Sequence, residues 1–185
     1  MSLPHLILGL LSDQPMSGYD LNKAFHQSVQ HFWTVDQSQI YRALYKLHEQ
    51  GNVDVELIEQ SDNPDKKVYH VTKAGEMMLE DWLKTPLAEP PVREGWLGQI
   101  HFADHIDDET LIENLLCYRQ EMNDRYQVLS ALRERILANV GDVEKIPRRY
   151  RLRLLTLDYG IEVHKFHLGW FDRAIGQIRK NTTRS

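Results

Sequence analysis

The sequence has a single cysteine, no long hydrophobic run and no excess of positive charge. Cys117 is alone among 185 residues, so no disulfide can form within the chain, and we expect a cytoplasmic protein. No apolar stretch approaches the roughly 20 residues that a membrane-spanning helix requires. The N-terminal segment lacks the basic start and the small-residue cleavage site of a secretory signal peptide, so we expect none.

The common motifs of enzymes are missing as well. The sequence contains no glycine-rich phosphate loop, no Gly-x-Ser-x-Gly elbow and no paired cysteines for a metal. Cys117 lies inside a predicted helix, where a packed or idle thiol is expected rather than a nucleophile. We therefore expect no enzymatic activity, no cofactor and no bound metal.

The net charge of −5 excludes a broad basic surface for nucleic acid. Residues 1–85 hold 7 Lys and Arg against 12 Asp and Glu, whereas residues 86–185 hold 15 of each. The whole deficit therefore belongs to the first part of the chain. Any contact with DNA there has to be made by a narrow, local surface.

A proline-rich segment divides the chain. Three prolines fall within six positions between Thr85 and Gly95, and no helix continues through such a segment. We predict a first domain over 1–85, a linker with a connecting helix over 86–106, and a helical domain over 107–185. The fold class is mainly α.

The first domain shows the pattern of a winged helix-turn-helix. Apolar residues recur with helical spacing in four segments and alternate with period two in two others. The predicted elements are a helix over 3–11, a helix capped by Ser17, a helix from Asp36 to Gln50, strands over 53–57 and 67–72, and a helix over 73–83.

The third helix has an unusual outward face. At 100° per residue, Ile40, Ala43, Leu44 and Leu47 share one buried stripe. The opposite side carries two tyrosines and cations that can reach phosphates and base edges, although the tyrosines could instead pack on a neighbouring helix. The candidate DNA-contacting residues of this helix are Ser38, Tyr41, Arg42, Tyr45 and Lys46.

The predicted hairpin adds Lys66 and Lys67, which could meet the DNA backbone or simply be solvated. Acidic residues surround them, so the acidic side of the hairpin has to face away from DNA. These acids are Asp54, Glu56, Glu59, Asp62 and Asp65.

Four ordered segments make the first domain resemble the PadR family of bacterial transcriptional regulators. They are Leu6-Ile-Leu-Gly-Leu-Leu11, Ser17-Gly-Tyr-Asp-Leu21, Gln39-Ile-Tyr-Arg-Ala-Leu44 with Leu47 and Gly51, and Val68-Tyr-His-Val-Thr-Lys-Ala-Gly75. The resemblance implies a dimeric DNA-binding repressor whose C-terminal helices form the dimer. It assigns DNA contacts to Ser38, Tyr41, Arg42 and the hairpin lysines. Many members of the family respond to small aromatic or hydrophobic ligands, but no motif here carries that property over.

The second domain contains two heptad seams. Apolar residues recur in alternating steps of four and three, which predicts two long helices packed as in a coiled coil, within one chain or between two. The seam residues are Leu111, Leu115, Tyr118, Met122, Leu129 and Leu132 in the first helix, and Leu157, Ile161, Leu168, Phe171 and Ile175 in the second.

Each seam has one polar gap, at Arg125 and at His164. In an antiparallel arrangement the two gaps face each other, which predicts a polar layer that fixes the register. Two cationic groups repel unless a carboxylate joins them, and Glu121 or Glu162 could do so. Alternatively, one gap lies at an exposed break in the seam.

Three smaller features have alternative interpretations. His101 and His105 could ligate zinc, but a solvated polar face is the favoured interpretation. The basic run 148–153 could bind phosphate or an acidic partner, and a solvated helix start is favoured. Trp96, Phe102 and Trp170 could line a ligand pocket or belong to an ordinary core.

We predict a homodimeric transcriptional regulator, most simply a repressor, that inserts its third helix into the major groove of a pseudo-palindromic double-stranded DNA site. A small hydrophobic or aromatic effector is an optional partner, and no membrane is involved. The alternative is a helical protein-interaction or ligand-sensing module without DNA binding. A metal-dependent hydrolase built on the histidine pairs is the third class.

Overall fold

In the computed structural model, which describes residues 3–58, 66–87, 93–140 and 146–182, short helices surround one small sheet in the first unit and two long helices make up most of the second. The two units span Met1–Pro90 and Pro91–Ser185. None of the described helices combines the length and the apolar character that crossing a membrane would need.

The described residues of the first unit form four helices and three strands. The helices are α1 (Leu3–Leu11), α2 (Gly18–Ser28), α3 (Gln37–Glu49) and α4 (Lys73–Lys84), and the strands are β1 (Met16–Ser17), β2 (Val53–Ile58) and β3 (Lys66–Val71). This is the winged helix-turn-helix predicted from the sequence.

Side chains and one glycine define the ends of these helices. Ser17 Oγ accepts a hydrogen bond from the Asp20 N–H at 3.1 Å, and Thr72 Oγ1 accepts one from the Gly75 N–H at 3.1 Å. Such caps satisfy donors that the first helical turn leaves free, and each contributes about 1 kcal/mol. After α3 the chain turns at Gly51, whose φ of 72° is a conformation that glycine adopts without strain.

The core of the first unit forms where α1, α2, α3 and β2 meet. Ile40, Leu44 and Leu47 are at most 1% exposed, as the helical periodicity predicts, and Ala43 packs against the same cluster. The other buried members are Ile7, Leu8, Leu10, Leu11, Met16, Leu21, Phe25, Val29, Val35 and Val53. This core packs against one face of α3 and leaves its opposite face exposed.

The sheet has one strand more than the two-stranded hairpin expected from the sequence. β3 pairs antiparallel with β2 on one side and with the two-residue strand β1 on the other, in the order β1-β3-β2. Met16 lies opposite Tyr69, and Ser17 lies opposite Val68. A strand of two residues is too short to show a period of two, so its sequence gives no strand signal.

The second unit consists of α5 (Gly95–His101), a 3₁₀ turn (Ala103–His105), α6 (Asp108–Val140) and α7 (Arg148–Thr182). The sequence predicted one connecting helix within 86–106, but α5 ends at His101 and a separate turn follows. α6 begins after Asp107, whose Oδ1 accepts a hydrogen bond from the Thr110 N–H at 2.7 Å. That bond lowers the pKa of the Asp107 carboxyl.

α6 and α7 pack against each other within one chain. The most buried seam residues are Leu115, Leu129, Leu157, Phe171 and Ile175, and the half-buried ones are Leu111, Tyr118, Met122, Leu132, Ile161 and Leu168. Ion pairs between Arg119 and Asp172 and between Arg133 and Asp158 flank the seam. The Arg119 pair is bidentate, at 2.6 and 3.1 Å, which is a geometry that favours strong charge-assisted hydrogen bonds.

Candidate nucleic-acid interface

The outward face of α3 carries exposed polar and aromatic side chains. Ser38, Arg42 and Lys46 are exposed, Tyr45 is 62% exposed, and Tyr41 is 38% exposed. All five were predicted as DNA-contacting residues, and the structure places them on the accessible side of one helix. Arg42 and Lys46 provide two cations one helical turn apart, at the spacing at which helix side chains are neighbours.

Arg42 is partly ordered by its own helix. Its Nε–H donates a hydrogen bond to the Ser38 carbonyl oxygen at 3.2 Å. A guanidinium group has five N–H donors, so this bond leaves four for another partner. The arrangement suits bidentate contact with a guanine edge or with a phosphate.

Tyr41 has a packing role in addition to its exposure. Its ring lies against the start of α2, because a Cβ built on Gly18 would come to 2.5 Å from Tyr41 Cε1. Burial raises the pKa of the Tyr69 hydroxyl, and the nearby Tyr41 raises it further. Tyr41 therefore packs on α2, which is the alternative that the sequence left open, and part of its ring remains exposed on α3.

Tyr45 is the more accessible of the two tyrosines. A hydrogen bond from its hydroxyl to the Glu49 carboxylate raises the pKa of Tyr45. The two residues lie one turn apart on α3, where such side-chain pairs meet. This bond holds the Tyr45 ring along the outward face of the helix and places the Glu49 charge at the C-terminal end of that face.

The structure separates the two candidate lysines of β3. Lys66 Nζ lies 3.0 Å from Asp20 Oδ2 on α2, so its charge is already paired within the chain. Lys67 is exposed. Successive side chains of a strand point to opposite faces, so the two lysines cannot both face the same partner.

The acidic residues of the hairpin fall into two groups. Asp54 and Glu56 lie on β2, and Glu56 Oε2 is 2.9 Å from His70 Nε2 on the neighbouring strand. Glu59, Asp62 and Asp65 lie outside the described residues. The charge of Glu56 is therefore directed at β3 rather than at a partner.

The three aromatic residues considered as a ligand pocket do not all come together. The rings of Trp96 and Trp170 have centroids 5.0 Å apart, and Trp96 lies equally close to Phe171. Phe102, by contrast, is 64% exposed and packs against His101, because it lies just beyond the end of α5 and not on the helix that carries Trp96. His167 joins the tryptophan cluster, with its ring centroid 6.1 Å from Trp96.

The two polar gaps of the seams lie in electrostatic contact across α6 and α7. Burial lowers the pKa of His164, and the positive charge of Arg125 lowers it further, as does His167. Arg125 is exposed and His164 is half-buried. The sequence allowed Glu162 to bridge the two gaps. Glu162 instead forms an ion pair with Lys165 on its own helix, at 3.6 Å. Glu121 forms no ion pair with Arg125 within the described part of the chain either.

The remaining candidates have no site-like geometry. α5 ends at His101 and His105 lies in the 3₁₀ turn, so the pair lacks the one-turn helical spacing that zinc ligation would use. The described residues include no group of three His, Cys, Asp or Glu side chains suited to a metal. The basic run begins α7, where the Tyr150 ring lies 4.9 Å from the Arg149 guanidinium and 5.8 Å from that of Arg153.

Two family models together match nearly the whole chain. Residues 7–81 match the model of the transcriptional regulator PadR-like family, and residues 92–179 match the model described as virulence activator alpha C-term. The chain belongs to the PadR-like family of transcriptional regulators. It is thus a DNA-binding regulator with a winged helix-turn-helix, and its family is one of regulators rather than enzymes.

Two relatives illustrate what this PadR-like regulator is similar to. The negative transcriptional regulator PadR of Bacillus subtilis is 26% identical over 184 residues, which are 97% of this chain and 98% of the relative. The probable transcriptional regulator Rv1176c of Mycobacterium tuberculosis is 40% identical over 95 residues. That match spans 51% of this chain and about half (49%) of the relative's length.

Solved structures share its fold. Bacillus subtilis PadR in complex with operator DNA superposes with a TM-score of 0.83 at 24% identity, covering 96% of this chain and 99% of that one. The same protein in complex with p-coumaric acid superposes with a TM-score of 0.78 at 24% identity, covering 96% of this chain and 95% of that one. The Vibrio cholerae virulence activator AphA superposes with a TM-score of 0.76 at 28% identity, covering 97% of this chain and 99% of that one.

Proposed function

We propose that this PadR-like regulator binds a pseudo-palindromic operator as a homodimer and represses transcription. α3 of each subunit enters a major groove, and the two half-sites lie about one helical turn, ~10 bp, or a multiple of it apart. The observation that carries the proposal is the outward face of α3, where Arg42, Tyr45 and Lys46 stand exposed on a helix whose other side is anchored in the core.

The charge of the chain shapes this binding mode. With a net charge of −5, the protein has no wide basic surface, so non-specific attraction to phosphates is weak. Arg42 and Lys46 on α3 and Lys67 on β3 supply a narrow set of cations. In a dimer, the cations of both subunits contact one DNA molecule, and the combined contacts provide an affinity for DNA that one subunit lacks.

The dimer is supported by a second apolar stripe on α7. Leu152, Leu155, Tyr159 and Phe166 recur at helical spacing, and the last three are 61–68% exposed. They lie on the side of α7 opposite the seam residues that pack on α6, at 100° per residue. A long exposed apolar stripe is uncommon on a monomer and fits a self-complementary interface between two identical subunits.

Repression is the proposed direction of control because the relative aligned over 97% of this chain is a negative regulator. Bacillus subtilis PadR is also known with p-coumaric acid bound. We therefore include in the proposal a small aromatic ligand that releases the operator. The cluster of Trp96, Trp170 and His167 is the site we propose for it, since aromatic side chains with one polar group suit such ligands.

The experiment uses the DNA upstream of the chain's own gene. Fluorescence anisotropy at fixed salt compares that DNA with a shuffled duplex of the same composition, and a transcriptional reporter gives the direction of control. The proposal expects preferential binding, lower reporter output when the protein is present, and restored output with an aromatic acid. Equal affinity for both duplexes would contradict operator recognition, and higher reporter output would contradict repression.

A further inference from the structure

Three side chains connect the start of α2 to the wing, which is the hairpin formed by β2 and β3. Ser17 Oγ donates a hydrogen bond to Asp20 Oδ2 at 2.7 Å and accepts one from the Asp20 N–H at 3.1 Å. Lys66 Nζ lies 3.0 Å from the same Asp20 Oδ2. We refer to Ser17, Asp20 and Lys66 as the wing clamp.

The wing clamp is charged at neutral pH. Hydrogen bonds from Ser17 and from Lys66 lower the pKa of the Asp20 carboxyl, so Asp20 stays ionised beside the ammonium group. Ser17 is 8% exposed, and Asp20 and Lys66 are each a little under half exposed. Because Ser17 holds the carboxylate in one orientation, Lys66 meets an ordered partner rather than a freely rotating side chain.

The wing clamp lies beside the short pairing of β1 with β3. β1 and β3 are joined by only two residue pairs, Met16 with Tyr69 and Ser17 with Val68. Lys66 lies two residues further along β3, at the end nearer the wing tip. The ion pair with Asp20 therefore extends the attachment of β3 beyond the point where its backbone pairing with β1 stops.

The same short segment, residues 16–20, also contacts α3. Gly18 lies between Ser17 and Asp20, and the ring of Tyr41 on α3 packs directly on it. Residues 16–20 thus contact β3 through backbone and side chain and contact α3 through Tyr41. This segment therefore contacts both the wing and α3.

We infer that Asp20 is a positioning residue for DNA binding: it holds the wing in register with α3 through Lys66, and Lys66 acts through Asp20 rather than as a phosphate ligand. The inference rests on the proposed use of α3 and the wing against the operator. It goes beyond that proposal because it assigns a role to an acidic residue that simple charge arguments would count against DNA binding.

The alternative role of Lys66, direct contact with a phosphate, predicts the opposite effect of one substitution. Asp20→Asn removes a negative charge from the DNA-binding unit and releases Lys66. If Lys66 bound phosphate, this change would strengthen binding. If the clamp positions the wing, the same change weakens binding although the unit becomes more positive.

The test measures operator affinity by fluorescence anisotropy for four full-length variants: Asp20→Asn, Lys66→Met, the double variant, and Lys66→Arg. We expect each of the first two to bind about three- to five-fold more weakly, as a partly exposed ion pair allows. The double variant should bind no more weakly than the weaker single variant, because both changes break one interaction. Lys66→Arg keeps a cation beside Asp20 and should bind like the unchanged protein.

Salt dependence gives the second readout. Lys66→Met should leave the slope of log affinity against log salt unchanged, since a clamped lysine releases no counterions, whereas a lost phosphate contact lowers that slope by about one. Equal or tighter binding by Asp20→Asn, or a lower slope for Lys66→Met, would overturn the inference. Loss of operator preference by the unchanged protein would instead contradict the proposed function, so the two failures are distinguishable. Circular dichroism melting verifies that every variant is folded.

Discussion

The ring of Tyr41 on α3 lies so close to Gly18 on α2 that a Cβ at position 18 would be 2.5 Å from Tyr41 Cε1. Only glycine permits this approach, because real Cβ atoms do not come so close to a neighbouring carbon. The contact ties the first residue of α2 to the outward edge of α3. Under the proposed use of α3, this contact gives Gly18 an indirect part in DNA binding.

Gly18→Ala should therefore weaken operator binding. The methyl group displaces the Tyr41 ring, and the displaced ring changes the outward surface of α3. The matched control is Gly9→Ala in α1, where a Cβ meets nothing within 4 Å and alanine favours the helix by about 0.5–1 kcal/mol. Anisotropy titration should show a loss for Gly18→Ala and unchanged binding for Gly9→Ala. Equal affinities would show that the Tyr41 contact is irrelevant to recognition.

Lys67 is the exposed lysine of the wing, and we predict that it contacts the DNA backbone. Lys67→Ala should weaken binding to operator and shuffled duplex alike and should lower the slope of log affinity against log salt by about one. Lys73→Ala on α4 removes the same charge from a side chain that is 84% exposed and serves as the control. A slope that changes equally in both variants would contradict a specific contact by Lys67.

Much of the first unit could be predicted from the sequence because its signals are local. Ile40, Leu44 and Leu47 recur at helical spacing, and all three are buried. Ser17 is a strong N-cap type placed just before a helical pattern, and its oxygen does cap α2. These features depend on residues within a few positions of one another, which is the range that periodicity and capping rules cover.

Features that depend on distant partners were missed. The pair of Lys66 with Asp20 joins residues 46 positions apart in sequence, so the sequence could show only two lysines in a hairpin. Strand β1 has two residues and exists because β3 lies beside it. The opposition of Arg125 and His164 could be anticipated, because antiparallel heptads relate their positions in a fixed way. The sequence also allowed a bridge from Glu121 or Glu162 to Arg125, which the described residues do not form, because Glu162 pairs with Lys165 on its own helix.

The exposed stripe on α7 predicts a dimer that one charge can disrupt. Tyr159→Glu places a carboxylate at a position that is 68% exposed in the single chain and lies in the proposed interface. Lys165→Glu also places a carboxylate on this helix, away from the stripe, at a side chain that is 65% exposed. It changes the charge by two units where Tyr159→Glu changes it by one, so it is a demanding control for a charge effect alone. Light scattering coupled to gel filtration should give a monomer for Tyr159→Glu and a dimer for the control. A dimer in both cases would place the interface elsewhere.

His164 should make the α6–α7 pair less stable in acid. Its pKa lies below the ordinary value of 6.5 because the ring is half-buried and faces Arg125 on α6 and His167 on α7. The unfolded chain therefore takes up a proton at a higher pH than the folded chain does. The contribution of His164 to the free energy of unfolding accordingly decreases as the pH falls below about 6.5, down to the lowered pKa of the folded state.

Thermal unfolding tests this at about pH 7.5 and about pH 5.5, on either side of the ordinary histidine pKa. His164→Leu should lose less stability between the two pH values than the unchanged protein does. His101→Leu, at an exposed position on α5, is the matched control and should keep the pH dependence of the unchanged protein. An identical pH dependence in all three proteins would show that His164 is not the group responsible.

The most direct test of the central claim, that the outward face of α3 reads the operator, is the affinity of Arg42→Ala for the DNA upstream of the chain's own gene. We predict a loss of about 1–3 kcal/mol of binding free energy on that DNA and a smaller loss on a shuffled duplex, because a base-reading arginine contributes mainly to specific binding. Unchanged affinity at moderate salt, with the variant folded and dimeric, would contradict the account.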